Sequence, residues 1–226
     1  MGSISDFLNH FDASGLIYLL VSVAASLLCI TFHELSHGYV AYRLGDPTAK
    51  NMGRLTLNPI KHIDPIGLLM MITVKVGWAK AVPVDMRHFK HPKWDMAITA
   101  LAGPAANFVM ALAALAVGRL LLFLPVKGWV EWALIFLARV ALLSVGLGIF
   151  NLIPISPLDG SKILFSLMPD RWYYNILRYE RYGMIVMIAL VWLGVFDRPL
   201  SFLIYGCLNL FCTVTQFPMQ LLVYLI

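Results

Sequence analysis

Residues 16–32 form an apolar run without a single charged side chain. Carried a few residues into its flanks, such a run reaches the ~20 residues that a helix needs to cross a bilayer's hydrocarbon core. Comparable runs recur at about residues 95–124, 129–153, 174–196 and 200–226. Hydrophobic residues make up 60% of the 226, charged residues only 13%, and the mean hydropathy is +0.80. A soluble domain of this size could not cover that much apolar surface. The sequence therefore predicts an all-α polytopic membrane protein with about five transmembrane helices, the first spanning about residues 16–44. It reads as one transmembrane domain over 1–226, with a core at 16–168 and C-terminal helices at 174–226.

The connections carry their own signals. Residues 45–65 are polar and punctuated by Gly and Pro; MGRLTLNP within them reads as a short strand, and 66–76 is apolar but too short to span. Together, residues 52–85 predict a small re-entrant β-hairpin on the cytoplasmic side, tolerated at membrane depth only where protein or a wet cavity satisfies its backbone. A short helix is expected at 161–168, and Pro218 should kink the last span. Residues 1–15 carry no Lys or Arg, and the run that follows is too long for a signal-peptide core, so no cleaved leader is expected.

Charge placement orients the chain. Arg43, Lys50, Arg54, Lys61, Lys75, Lys80, Arg87, Lys90 and Lys93 all fall between the first two spans, whereas the opposite loops offer Lys127 and Arg198. The positive-inside rule puts the N-terminus outside and residues 45–94 in the cytoplasm of a multi-pass cell-membrane protein. The net charge of +5 is thus a membrane-flank signal, and no nucleic-acid partner is expected. Cys29, Cys207 and Cys212 lie in apolar segments and read as small hydrophobes rather than a disulfide frame.

Near the end of the first span the sequence reads HELSH. His33 and His37, four apart on a helix, project from one face and can share a zinc ion, with Glu34 placed to act on a water rather than to ligate. Shuffling this composition yields the pattern in roughly one chain in 500, and here it sits on the helix that its chemistry demands. Ionisable side chains inside a span are expensive and functional by default. A catalytic zinc takes three protein ligands and keeps a fourth position open. Candidates for the third are Asp159, His62, Asp64, His88 and His91. Asp159 stands out, because Pro154 and Pro157 break the span before it and Gly160 lets the backbone turn beside it. Pro-Leu-Asp-Gly is also an ordinary turn sequence.

HELSH on the first long helix, GPAAN opening the next and NLIPISPLDG ending the third resemble the site-2 protease family of intramembrane zinc metalloproteases. GRLTLNPIKHIDPIG and GWAKAVPVD resemble its compact bacterial branch, and the similarity covers about residues 25–165. The resemblance implies that His33, His37 and Asp159 bind Zn2+, that Glu34 is the base, and that Asn151 holds substrate backbone or the oxyanion. Asn107 of GPAAN and Asn58 of the hairpin are further candidate substrate contacts. The length leaves no room for the PDZ or CBS domains of many relatives, no span is expected before the HELSH helix, and Ala81 stands where Pro is more usual.

The function expected is hydrolysis of a peptide bond in or near the transmembrane helix of a membrane-protein substrate, with the lipid bilayer as the other partner. The rival class is a zinc transporter or a metal-binding membrane protein without hydrolysis. Glu34 separates them: a transport site would use it as a ligand, a hydrolase would not. A chaperone-like degenerate relative is disfavoured by the intact HELSH and LDG. Substrate identity and oligomeric state are not encoded in any visible feature.

Overall fold

The computed structural model describes residues 13–65, 67, 80–169, 173 and 180–226. The first helix, α1, runs Ala13–Arg43. Its 31 residues at 1.5 Å each make a rod of about 46 Å, longer than a ~30 Å hydrocarbon core. It ends at Gly45, whose φ of 112° is a conformation that a side chain disfavours. Asp46 then takes over: it has no solvent exposure and accepts from both the amide and the hydroxyl of Thr48. The one-turn helix α2, Thr48–Asn51, follows.

Two long helices follow, α3 over Pro92–Leu121 and α4 over Trp129–Asn151. They pack on α1 through a core that includes Ala25, Cys29, Ala111, Ala114, Ala138 and Ala141. Small side chains let helix axes approach closely, which is how helices associate where lipid removes the hydrophobic drive. Cys29 and Ser144 meet at 3.1 Å inside this seam. Large apolar groups such as Leu19, Val109 and Phe123 point outward and are exposed, the arrangement expected of a surface solvated by lipid.

The chain then breaks and opens α5, Asp159–Ser166, two residues earlier than the sequence predicts. The last helices are α6, Glu180–Trp192, α7, Asp197–Thr215, and α8, Met219–Leu225.

Two expectations need correction. The count of five spans is not supported: among the described residues three helices are long and apolar enough to cross a membrane, or four if a bent pair is taken as one span. That pair, Gly183–Trp192 and Asp197–Thr215, turns by 87°. Gly194 supplies the left-handed turn at φ 68°, and Asp197, Arg198 and Pro199 place charge and a missing N–H where an uninterrupted span would run. The expected fifth span is split again, at left-handed Gln216 and Pro218, which ends up between helices rather than kinking one.

The β-hairpin is the second correction. Residues 52–59 form turns, not a strand. Gly53 has φ 63°, Asn58 donates its amide to the Thr56 hydroxyl and accepts from Ile60, and a 3₁₀ turn runs Pro59–His62. These are local turn contacts; the backbone bond across the expected hairpin is that from the Lys80 amide to the His62 carbonyl, beside an isolated bridge at Ile63. The middle of the expected hairpin, residues 66 and 68–79, lies outside the described residues.

Candidate metal centre

Three side chains from two elements converge. On α1, His33 Nε2 and His37 Nε2 lie 3.0 Å apart, the one-face geometry of an i, i+4 pair. The first residue of α5 brings Asp159 Oδ2 to 3.2 Å from His33 Nε2 and 3.1 Å from His37 Nε2. All three residues are buried. Among the described residues no other group of three or more His, Cys, Asp or Glu stands close enough to share an ion.

Glycines make the convergence possible. A Cβ on Gly103 of α3 would lie 2.4 Å from His37 Nε2 and 2.6 Å from His33 Cε1, so the backbone of α3 lies directly against the imidazoles. A Cβ on Gly160 would lie 2.2 Å from the Leu152 carbonyl oxygen. Only glycine there lets α5 fold back on the end of α4 and deliver Asp159.

The donor set fits zinc. His37 Nδ1 is 2.7 Å from the Thr99 carbonyl, which can only accept, so Nδ1 carries the proton and Nε2 presents a lone pair. Asp159 Oδ2 is buried without a hydrogen-bond donor. Lone pairs 3.0–3.2 Å apart repel one another unless a cation lies among them. Tetrahedral zinc with bonds of ~2.0–2.1 Å separates its ligand atoms by about 3.3–3.4 Å, close to this triangle.

Glu34 stands apart from the triangle. Its Oε2 accepts the Val82 N–H at 2.8 Å, and it faces a cavity of about 480 Å³ also lined by His33, His37, Asn151, Asp159 and Lys162. Val82 belongs to a non-helical segment, residues 80–85, anchored on three sides. The Lys80 amide donates to the His62 carbonyl, buried Arg54 donates to the Lys80 carbonyl at 2.6 Å, and the Asp85 amide donates to Asp46 at 2.7 Å.

The other sequence candidates separate cleanly. Asn151 lines the cavity while its amide donates to the Leu147 carbonyl of its own helix. Asn107 is fully buried with its amide 3.2 Å from His33 Nδ1, so it backs a histidine and does not line the cavity. Asn58 is exposed, caps the 3₁₀ turn and lies outside that lining too. Of the alternative third ligands, His62 bonds the Thr56 carbonyl, Asp64 accepts from Gly67 and His88 pairs with Asp46 at 3.2 Å. Sequence reasoning missed Thr99, Gly103 and Val82. Two of these act through backbone atoms and carry no side-chain signature; Gly103, inside GPAAN, was visible but unassigned.

Residues 126–194, which include Asn151 and Asp159, match peptidase family M50. YwhC of Bacillus subtilis, named as a candidate zinc metalloprotease, is 36% identical over 208 residues, covering 88% of this chain and 90% of its own. The chain belongs to peptidase family M50. Rip2 of Mycolicibacterium smegmatis, named in the same way, is 29% identical over 194 residues, 84% of this chain and 73% of its own. Rip2 of Mycobacterium tuberculosis is 33% identical over 177 residues, 74% and 65% respectively. No solved structure matches the chain. Family M50 is the site-2 protease family to which the sequence motifs pointed. With its apolar helices, the membership makes this a multi-pass membrane metalloprotease whose metal is zinc.

Proposed function

We propose that this M50 protein hydrolyses a peptide bond in or near a transmembrane segment of a membrane-protein substrate, with His33, His37 and Asp159 holding the metal and Glu34 moving the proton. The observation that carries the reading is the placement of the site. His33 and His37 belong to the candidate span Gly15–Arg43, about 27–33 Å along it at 1.5 Å per residue, which supports a site at membrane depth. Glu34, one step round the same helix, faces the cavity and is not part of the ligand triangle. A transport site would spend that carboxylate on the ion.

Zinc, when bound, supplies Lewis acidity: it makes water nucleophilic near neutral pH and polarises a carbonyl. The protein does the rest. Glu34 accepts the proton of the attacking water and returns it to the leaving amide nitrogen, while the Val82 N–H fixes its carboxylate. Asn151 exchanges its Leu147 contact for the substrate backbone or the developing oxyanion. A substrate helix must unwind to expose its carbonyls, and residues 80–84, three of which line the cavity, offer backbone for the unwound strand to pair with. By the positive-inside rule the site opens toward the cytoplasm and the N-terminus lies outside.

The test is reconstitution in liposomes with a transmembrane peptide. The reading expects cleavage within or at the edge of the apolar segment, lost on zinc chelation and restored by zinc. Cleavage confined to soluble peptides, or indifferent to the chelator, would overturn it.

A further inference from the structure

We infer that Asn107 is the positioning residue of His33: its amide oxygen accepts the Nδ1 proton and so leaves Nε2 free to bind zinc. The inference rests on the reading of His33 as a zinc ligand.

The argument starts from a stripe on α3. Thr99, Gly103 and Asn107 are spaced i, i+4, i+8 and therefore share one face. That face lies against the histidines of α1, with Thr99 at His37, bare Gly103 against both rings and Asn107 at His33. Two imidazoles that ligate one ion through Nε2 must both carry their proton on Nδ1. For His37 the Thr99 carbonyl enforces this. For His33 the partner is the carboxamide of Asn107, fully buried, whose Nδ2 is placed 3.2 Å from Nδ1.

A carboxamide has the same shape either way round, and its partners decide which end is which. With the NH₂ end toward His33, Nδ1 would be an acceptor, and Nε2 would carry its proton into the gap that His37 Nε2 and Asp159 Oδ2 share. The same orientation leaves the Asn107 oxygen buried with no donor, so nothing on its far side requires an oxygen there. Turned by 180°, the oxygen accepts from Nδ1 and both histidines have the ligating tautomer. Asn107 thus repeats for one histidine, with a side chain, what Thr99 does for the other with its backbone. Partners of this kind that hold ligand histidines typically change metal affinity by about 10–100-fold when removed.

The experiment measures zinc affinity by chelator competition for the full-length protein in detergent, for wild type, Asn107→Asp, Asn107→Leu and His33→Ala, each checked for helical content and monodisperse elution. Asp keeps an acceptor and cannot donate; Leu keeps the size and can do neither. The inference expects Asn107→Asp to bind zinc at least as tightly as wild type and Asn107→Leu to bind it roughly 10–100-fold more weakly. Zinc loss in Asn107→Asp as large as in Asn107→Leu would show that the amide donates to His33, and would overturn it. Wild-type affinity in Asn107→Leu would overturn it equally. Should Asn107→Leu fail to fold, Asn107→Asp decides by itself. His33→Ala keeps the two claims apart: wild-type affinity there refutes His33 as a ligand, whereas lost affinity there with unaltered Asn107→Leu refutes only the role of Asn107.

Discussion

The Glu34 carboxylate and the Val82 amide meet at 2.8 Å, so a residue of α1 that is central to the proposed chemistry is held by backbone 48 positions further along the chain. Removing that N–H should disturb the proton transfer without touching the metal. Val82→Pro is expected to lower the cleavage rate by about tenfold or more, part of the 10²–10⁴ that a well-placed acid–base group contributes, with wild-type zinc content. Paired rate and zinc measurements on one preparation check this.

Gly103 has no room for a side chain. Gly103→Ala would place a methyl 2.4 Å from His37 Nε2, displacing the imidazoles or α3. It should abolish zinc binding and destabilise the fold by about 1–3 kcal/mol, the usual scale of overpacking. Gly206 on α7, where an added Cβ meets nothing within 4 Å, is the control. Gly206→Ala should be neutral or stabilising by up to about 1 kcal/mol, read by thermal unfolding.

Asp159 closes the ligand triangle, and Asp159→Ala should lower zinc affinity by at least about tenfold, a ligand mattering no less than the partners that hold it. Metal analysis after dialysis against a weak chelator is sufficient. Full zinc occupancy in that variant would remove Asp159 from the site and turn attention to His62 or Asp64, which line the same cavity.

Asp46 pins residues 85–88 to the end of α1. Burial pushes its carboxyl up, but the Thr48 side chain and the Asp85 and Thr48 amides prevail and hold it below the usual range. A carboxylate with a depressed folded pKa stabilises the fold above its unfolded pKa of ~3.9 and loses that stabilisation as pH falls through the folded value. Asp46→Asn should therefore melt lower than wild type at pH 7, by about 1–3 kcal/mol of lost charge-assisted bonding. The gap should narrow as pH drops below ~4. Unfolding curves across that pH range give the answer.

The orientation proposed above rests on loop charge alone. In a chain whose native cysteines are replaced, Cys at position 127, between α3 and α4, should react with an impermeant reagent added outside intact cells. Cys at position 50, on α2, should react only after permeabilisation. The reverse pattern would invert the topology.

The parts of this protein that were readable in sequence are those encoded by side-chain pattern. Long apolar runs marked α1, α3 and α4; the His33–His37 spacing marked the helix face; Pro154, Pro157 and Gly160 marked a break beside Asp159. What stayed hidden depends on backbone. The Thr99 carbonyl and the Val82 amide could belong to any residue, so nothing in the sequence announces them. Residues 52–59 look strand-like, yet Gly53 and Asn58 with Pro59 curl the chain into turns. The C-terminal apolar runs look like two spans because hydropathy averages over the breaks at Gly194 and Pro218. For Asn107 the sequence leaves a cross-helix hydrogen bond and a place in the cleft both open, and the packing of α3 on α1 sets it behind His33.

Glu34→Gln tests the central claim most directly. Glutamine keeps the shape and an acceptor for the Val82 N–H but cannot take a proton from water. Zinc content and cleavage of a transmembrane peptide should be measured on the same purified sample. Wild-type zinc with cleavage reduced by at least about 10²-fold is the result expected of a hydrolase that uses Glu34 as its base. Cleavage at the wild-type rate would contradict that mechanism, and loss of zinc would make Glu34 a ligand and favour the transporter reading.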